Sequence, residues 1–197
     1  MRKAINHLKK VDPVIATIIE RVGPYKMRQS DPTFEALARA IVYQQLNGKA
    51  AATIYGRLVA AASSPLTPDA ILRLTHEELR AVGLSNQKAK YVRDLAERTS
   101  RAEVDFTALQ DMDDQQVIEV LTQVKGVGVW TVHMFLMFSL RRPNVLPTGD
   151  LGIRNAVKKA YRMRKIPTVA DIEKRAKSWH PYCSVASWYL WRSLDVE

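Results

Sequence analysis

Cysteine is almost absent from this chain of 197 residues, and long apolar runs are absent as well. The single cysteine, Cys183, excludes a disulfide within the chain and a four-cysteine metal or iron–sulfur site. We expect it to be an inert, buried thiol. The longest apolar stretch, residues 127–140, is interrupted by three polar residues, and residues 1–13 lack the apolar core of a secretion signal. The expected location is therefore reducing and away from membranes: the cytoplasm and its nucleoid in a bacterium, or the nucleus in a eukaryote.

Acidic residues are outnumbered. The chain has 30 Lys and Arg against 20 Asp and Glu, which gives a formal net charge of +10. A small domain with this balance is suited to a polyanionic partner, because each phosphate that it neutralises releases a counterion. Many soluble proteins are basic too. Charge alone therefore leaves open a nucleic-acid partner and an interaction protein whose charge serves solubility.

The sequence pattern predicts an all-α fold. Apolar residues recur three and four positions apart, and strand-like alternation is missing. Helix starts are indicated at several places by a capping residue before a proline or by the capping-box spacing. These starts are Asp12-Pro13, Asp31-Pro32, Thr67-Pro68, Thr75 with Glu78, and Thr168 with Asp171. The predicted helices cover residues 13–22, 32–46, 48–62, 68–74, 76–82, 86–99, 114–124, 129–140, 150–162, 169–179 and 182–193.

The absence of a low-complexity linker predicts a single domain over residues 1–197. We expect two lobes within it. Lobe one is formed by about residues 1–35 plus 150–197, and lobe two by about residues 36–149.

Two glycines separated by one residue join two of the predicted helices. Gly126 and Gly128 permit a tight junction that leaves backbone N–H groups uncovered. Such amides at the start of a helix can bind a phosphate oxygen, directly or through a cation. A plain corner between helices, in which glycine only relieves crowding, fits the same pattern. The glycines alone leave both interpretations open.

Further motifs surround this hairpin in a fixed order. Pro147, Gly149 and Asp150 follow it, with Asp150 about twenty residues after the glycines. Residues 40–47 (Ala-Ile-Val-Tyr-Gln-Gln-Leu-Asn) precede it, and a tryptophan-rich segment covers residues 179–191. In this combination the chain resembles the helix-hairpin-helix (HhH-GPD) DNA glycosylase superfamily over roughly residues 30–194. The resemblance implies a two-lobed helical fold with the active site in the cleft between the lobes.

One position separates two chemistries within that superfamily. Members that also cleave the DNA strand carry a lysine early in the helix after the hairpin, where this chain has Trp130, while Lys125 lies before the glycines. One cysteine cannot supply the iron–sulfur loop of endonuclease III. The chain is therefore most similar to the 3-methyladenine DNA glycosylase II branch, and to its shorter, all-helical members.

The resemblance implies a monofunctional N-glycosyl hydrolase without lyase activity, acting in the first step of base excision repair. Its substrates would be alkylated purines, of the 3-methyladenine and 7-methylguanine type, flipped out of duplex DNA. The implied partner is double-stranded damaged DNA, bound by a monomer that needs no organic cofactor. A structural Na⁺ or K⁺ at the hairpin, held by the backbone of Val124 and Val127, is compatible with the family.

Asp150 is the expected catalytic carboxylate. When the N-glycosidic bond breaks, positive charge develops on the deoxyribose, and a carboxylate beside the sugar stabilises it and can orient water. An alkylated purine is already a good leaving group, so a second carboxyl group is not needed. Aspartate is also a favoured N-cap, and Asp150 precedes a predicted helix. The two roles are compatible.

Aromatic side chains are expected to hold the flipped, cationic base. Trp130 is the first choice for this wall, and Tyr25, Phe34 and Tyr43 are further candidates; for each of the four, packing in the core is the alternative. At two further pocket positions the bacterial inducible enzyme of this branch has tyrosines, whereas this chain has Met134 and Leu151.

Residues near two helix junctions are expected to contact DNA. Asn47 would fill the space left by the flipped base, or else cap the helix that follows it. Leu84 or Asn86, at the second junction, is an alternative wedge. The groups expected near phosphates belong to Ser85, Lys88, Lys90, Lys125, Gly126, Val127 and Gly128, although an exposed lysine is more often simply solvated.

Two alternatives of different kinds remain open at this point. The first is a helix-hairpin-helix glycosylase for another lesion, such as a deaminated or oxidised purine. The second is a non-catalytic DNA-damage-binding module, in which Asp150 only caps its helix.

Overall fold

A computed structural model describes residues 1–62 and 65–196. Over these residues the chain forms twelve α-helices and one short 3₁₀ helix, and the described residues contain no strand. This confirms the all-α prediction. Among the described helices, none is long and apolar enough to cross a membrane.

The helices follow one another with short connections. In chain order they are α1 (Arg2–Val11), α2 (Pro13–Val22), α3 (Phe34–Tyr43), α4 (Gly48–Ala61), α5 (Pro68–Arg73), α6 (His76–Ala81), α7 (Asn86–Ser100), the 3₁₀ helix (Ala108–Gln110), α8 (Asp114–Leu121), α9 (Val129–Phe138), α10 (Leu151–Ala160), α11 (Val169–Ala176) and α12 (Cys183–Arg192).

Polar caps begin most of these helices where the sequence predicts them. The Asp12 side chain accepts from the amides of Val14 and Ile15, and Pro13 follows at the first helical position. The capping boxes of α6 and α11 are both formed. Each such cap satisfies amides that have no partner inside the helix, which is why these boundaries are readable from sequence.

The eleven predicted helices are all present and end within three residues of their predicted ends, but α1 and α3 differ notably from the prediction. Helix α1 was not predicted; it buries only Ala4 and Leu8, and its other residues are largely polar. Helix α3 begins after Thr33, whose side chain accepts from the Ala36 amide, rather than at Asp31-Pro32. It also ends at Tyr43, because Gln44 takes a ψ of 132° and Gln45 a positive φ of 56°, neither of which an α-helix permits.

The chain divides into two compact units, one comprising residues 1–29 and 136–197 and the other residues 30–135. The expected lobe boundaries were about residues 35 and 149, so the second boundary lies earlier, inside α9. In the first unit, α12 contacts α1, α2 and α10. Its residues from Cys183 to Leu190 are all buried, and they form the core together with Leu8, Ile15 and Trp179.

The second unit is built around α7, which contacts α3, α5 and α6. Its apolar face buries Ala89, Val92 and Leu95, while Leu37 and Ile41 of α3 are fully buried as well. Burial of these side chains stabilises each unit by about 25 cal/mol per Å² of apolar surface removed from water.

Candidate functional site

The hairpin between α8 and α9 contains a backbone conformation that favours glycine. Gly126 has a φ of +79°, and a Cβ atom there would lie 2.1 Å from Cδ2 of Tyr91. The aromatic ring therefore packs directly on the glycine backbone. The Gln44 side chain donates a hydrogen bond to the Gly126 carbonyl at 2.9 Å. The hairpin is thus fixed from both sides within the second unit.

The buried carboxylate of Asp94 holds Lys125, the residue before Gly126. Asp94 is 8% exposed and accepts hydrogen bonds from the Lys125 amide at 2.9 Å and from Arg98 at 3.1 Å, while Lys125 Nζ lies 3.1 Å away. Burial by itself raises the pKa of Asp94, but these bonds to the ionised form outweigh it, and the pKa lies below its ordinary value. The Lys125 side chain, expected near phosphates, remains 69% exposed.

A cavity of about 540 Å³ lies beside the hairpin. Three of the predicted base-pocket residues line it: Trp130, Tyr43 and Met134. Trp130 lies at the start of α9 and is 47% exposed, which is a large exposure for an apolar residue of this size. Arg39 covers the ring of Tyr43, with its guanidinium carbon 4.5 Å from the ring centre. The remaining lining residues are Ala40, Gln44, Gln45, Gly126 and Thr131.

Two other predicted pocket residues pack in the cores. Phe34 is 6% exposed in the second unit. Tyr25 packs against Trp188 in the first unit, with ring centres 4.6 Å apart, and donates to the sulfur of Met27. Burial, with a contribution from Tyr189, raises the pKa of Tyr25 to about 12. These contacts fit the core-packing alternative for both residues.

Most of the predicted wedge and phosphate-contacting side chains make hydrogen bonds within the protein. The Asn47 side chain accepts from the Ala50 amide at 2.9 Å and so caps α4. Ser85 caps α7, and Asn86 is bonded to His76 at 2.7 Å. Lys88 donates to backbone carbonyls of the α3 end. In the hairpin, the Val124 carbonyl, one of two suggested cation ligands, accepts from the Val127 amide at 3.0 Å.

The sequence interpretation of Leu84 as an alternative wedge is wrong. It is 1% exposed, because the second junction turns this side chain into the core of the second unit. A wedge must be exposed to enter the base stack, so Leu84 is excluded. An exposed apolar residue next to Asn47 is Leu46, at 39%. Leu46 follows the strained Gln45 and lines a second cavity of about 210 Å³.

In the first unit, Asp150 is the N-cap of α10. Its Oδ1 atom accepts from the Ile153 amide at 2.8 Å and from the indole Nε1 of Trp191 at 2.8 Å. Leu151, predicted as a pocket residue, is 60% exposed beside it. Sequence reasoning missed Trp191, since only the fold brings α12 to the start of α10. A signal was present: the α12 segment carries three aromatic residues among its last five.

Cys183 lies in the core of the first unit with no exposed surface. Burial raises the pKa of its thiol to about 12. Such a thiol is not ionised near neutral pH and is a poor nucleophile. This confirms the expectation of a buried cysteine.

Comparison with known proteins gives a consistent result. Residues 38–181 match the family described as HhH-GPD superfamily base excision DNA repair protein. The DNA-3-methyladenine glycosylase 1 of Schizosaccharomyces pombe is 35% identical over 203 residues, which cover 100% of this chain and 89% of that protein.

Two solved structures are similar along nearly the whole chain, each with a TM-score of 0.85 and 36% identity. One is a Schizosaccharomyces pombe 3-methyladenine DNA glycosylase in complex with abasic DNA, where the match covers 96% of this chain and 95% of that one. The other is a DNA-3-methyladenine glycosidase from Bacillus halodurans, where it covers 94% and 85%.

Proposed function

The chain belongs to the HhH-GPD superfamily of base excision DNA repair proteins, and on this premise we propose that it hydrolyses the N-glycosidic bond of alkylated purines in duplex DNA. The 3-methyladenine and 7-methylguanine type of lesion is the proposed substrate. The observation that carries the proposal is Asp150, held by two N–H donors at the first turn of α10. The name and 35% identity of the Schizosaccharomyces pombe glycosylase support it.

The chemistry needs little more than a positioned negative charge. Alkylation makes the purine cationic, so it leaves with the electron pair of the glycosidic bond. The deoxyribose acquires positive charge, which the Asp150 carboxylate stabilises. Water then adds its hydroxyl group to the sugar carbon and releases a proton to solvent. The products are the free base and an abasic site.

The target base must leave the helix stack before it can react. The cavity beside Trp130 and Tyr43 offers aromatic surface in the second unit, and a desolvated cationic base gains about 1–2 kcal/mol from such a ring. Leu46 is the better candidate for the wedge, because it is exposed and apolar whereas Asn47 is used as a cap.

Strand cleavage is not part of the proposed activity. A lyase needs an amine that forms a Schiff base with the sugar, and Trp130 stands where bifunctional members have their lysine. Treating the reaction with borohydride should therefore trap no covalent protein–DNA complex. A trapped complex would show that another amine, such as that of Lys125, performs lyase chemistry.

The decisive experiment is single-turnover release of base from methylated duplex DNA. We expect Asp150→Asn to lower the rate at least a hundredfold, about 2.7 kcal/mol, while binding of abasic duplex DNA persists. Asparagine retains the capping role, so the helix start should survive. The matched control is Asp113→Asn, which changes the N-cap aspartate of α8 and should leave the rate unchanged.

Other outcomes separate the alternatives. Equal release by the wild type and Asp150→Asn would reduce Asp150 to a cap. If the wild type releases no alkylated purine but excises a deaminated or oxidised one, the substrate proposal is wrong and the glycosylase proposal stands. Binding of abasic DNA without release of any base would indicate a non-catalytic module.

A further inference from the structure

The carboxylate of Asp150 is held by two donors from different elements. The Ile153 amide lies one turn into α10, and the Trp191 indole lies near the end of α12. Both donate to the same oxygen, Oδ1, at 2.8 Å. A single N-cap bond leaves a carboxylate able to rotate about its last bond. A second donor from another direction restricts that rotation.

The approach of the indole depends on a glycine. A Cβ atom on Gly152 would lie 2.9 Å from Asp150 Oδ1, 3.1 Å from Trp191 Cδ1 and 3.2 Å from Trp191 Nε1. A Cβ atom at this position would therefore force the Asp150 carboxylate, and to a smaller extent the indole, to shift, so the contact in its present geometry depends on the absence of a side chain. The ring of Phe138 is stacked with the indole, with ring centres 6.0 Å apart and an interplanar angle of 21°.

The same unit contains a second aspartate–tryptophan pair that serves as an internal reference. Asp12 caps α2 and accepts from the indole Nε1 of Trp179 at 2.8 Å, as well as from the hydroxyl of Tyr161. This pair is buried, with Asp12 7% and Trp179 0% exposed. Asp150 and Trp191 are each only partly buried. The first pair therefore joins elements in a core, whereas the second lies at a partly exposed position.

We propose that Trp191, admitted by Gly152, is a positioning residue that fixes the Asp150 carboxylate for catalysis through its indole N–H. This inference rests on the proposed function of Asp150. Electrostatic stabilisation of a developing charge depends on groups that are already oriented, because reorientation during the reaction costs free energy. Losing a hydrogen bond to a charged group lowers a rate by roughly tenfold to a hundredfold.

The first test compares Trp191→Phe with Trp179→Phe, since each variant removes one indole N–H from an N-cap aspartate. We expect Trp191→Phe to lower the single-turnover rate on methylated duplex DNA tenfold to a hundredfold, with little change in affinity for abasic DNA. Trp179→Phe should lower the melting temperature and leave the rate of the folded protein unchanged. Equal rate losses in both variants, or a wild-type rate in Trp191→Phe, would overturn the proposal.

Gly152→Ala separates positioning from stability. Alanine favours a helix over glycine, so a stability effect alone gives no reason for a slower reaction. We nevertheless expect a tenfold or greater loss of rate, and a smaller loss when the substitution is made in Trp191→Phe, because the two residues act through one contact. The control is Gly56→Ala in α4, where a Cβ atom meets nothing within 4 Å. Additive losses would contradict this coupling.

A binding measurement keeps the inference testable apart from base release. The probes are duplexes that carry either a cationic pyrrolidine or a neutral tetrahydrofuran in place of the target sugar. The wild type should prefer the pyrrolidine, and Trp191→Phe should lose most of that preference. If the wild type shows the preference but releases no alkylated base, the substrate proposal fails while the positioning role stands. An unchanged preference in Trp191→Phe would refute the role.

Discussion

At the scale of single residues, Gly126 has the closest neighbour of any glycine in the described part of the chain. Its positive φ favours glycine and the Tyr91 ring leaves no room for a Cβ atom, whereas a Cβ atom on Gly128, two residues later, would meet nothing within 4 Å. Comparing substitutions at these two glycines therefore tests whether the hairpin needs a particular backbone conformation or only a small residue.

We predict that Gly126→Ala destabilises the protein by about 2–4 kcal/mol, from backbone strain and displacement of Tyr91, and weakens binding to duplex DNA. Gly128→Ala should change stability by no more than about 0.5 kcal/mol. Urea unfolding of both variants, followed by titration with a duplex, provides the measurement. Equal stability of the two variants would mean that the ring and the turn adjust at little cost.

Sequence reasoning could propose candidate residues only where their positions relative to the hairpin identify them. Asp150 and Trp130 stand at defined distances from the hairpin, and their positions could be assigned in advance. Asp94 and Trp191 could not, because each acts on a partner from a distant part of the chain, 31 and 41 residues away. Asp94 did leave a trace, since it is a charged residue within the largely apolar face of α7.

At the scale of elements, the end of α3 is held by a lysine from α7. Lys88 Nζ donates to the carbonyls of Val42 at 2.7 Å and Gln44 at 2.6 Å. Partial burial lowers the pKa of this ammonium group. Carbonyls at a helix end have no partner inside the helix, so a cation there satisfies them and interacts favourably with the helix dipole. The contact also fixes the start of the Gln45 and Leu46 turn.

We predict that Lys88→Met destabilises the protein by about 1–2 kcal/mol, while Lys90→Met, at an exposed position on the same helix, has no effect on stability. The slope of DNA affinity against salt concentration should not change in Lys88→Met. Loss of a phosphate contact would instead reduce that slope by about one. A reduced slope with unchanged stability would restore Lys88 to the DNA-contacting residues.

Helix boundaries were predictable where capping chemistry is local. The caps of α2, α5 and α6 involve residues within three positions of one another. Helix α1 escaped prediction because two buried residues form too weak an apolar pattern to recognise. The end of α3 was predicted too late, since Lys88 and the positive φ of Gln45 decide it, and neither belongs to the local helical pattern.

At the scale of the whole molecule, the resemblance identified the architecture, but the division into units was less accurate. The boundary inside α9 falls between Phe135 and Leu136, where the helix is apolar on both sides, from Met134 to Phe138. Apolar periodicity does not distinguish which core a residue enters. The distribution of residues between units follows from tertiary packing and could not be inferred from the pattern.

The net charge of +10 gives a prediction for the whole molecule. If this charge serves DNA binding, the logarithm of affinity for a duplex should fall linearly with the logarithm of salt concentration, with a slope steeper than about −2, because counterions return to the DNA when the protein leaves. The single-turnover rate of base release at saturating protein should stay constant over the same range, since the bound complex has already formed its contacts and Asp150 acts within it. Fluorescence anisotropy and quenched-reaction assays on one methylated duplex measure the two quantities. A slope near zero would assign the charge to solubility, and a rate that falls in parallel with affinity would mean that salt disturbs the bound complex as well as its formation.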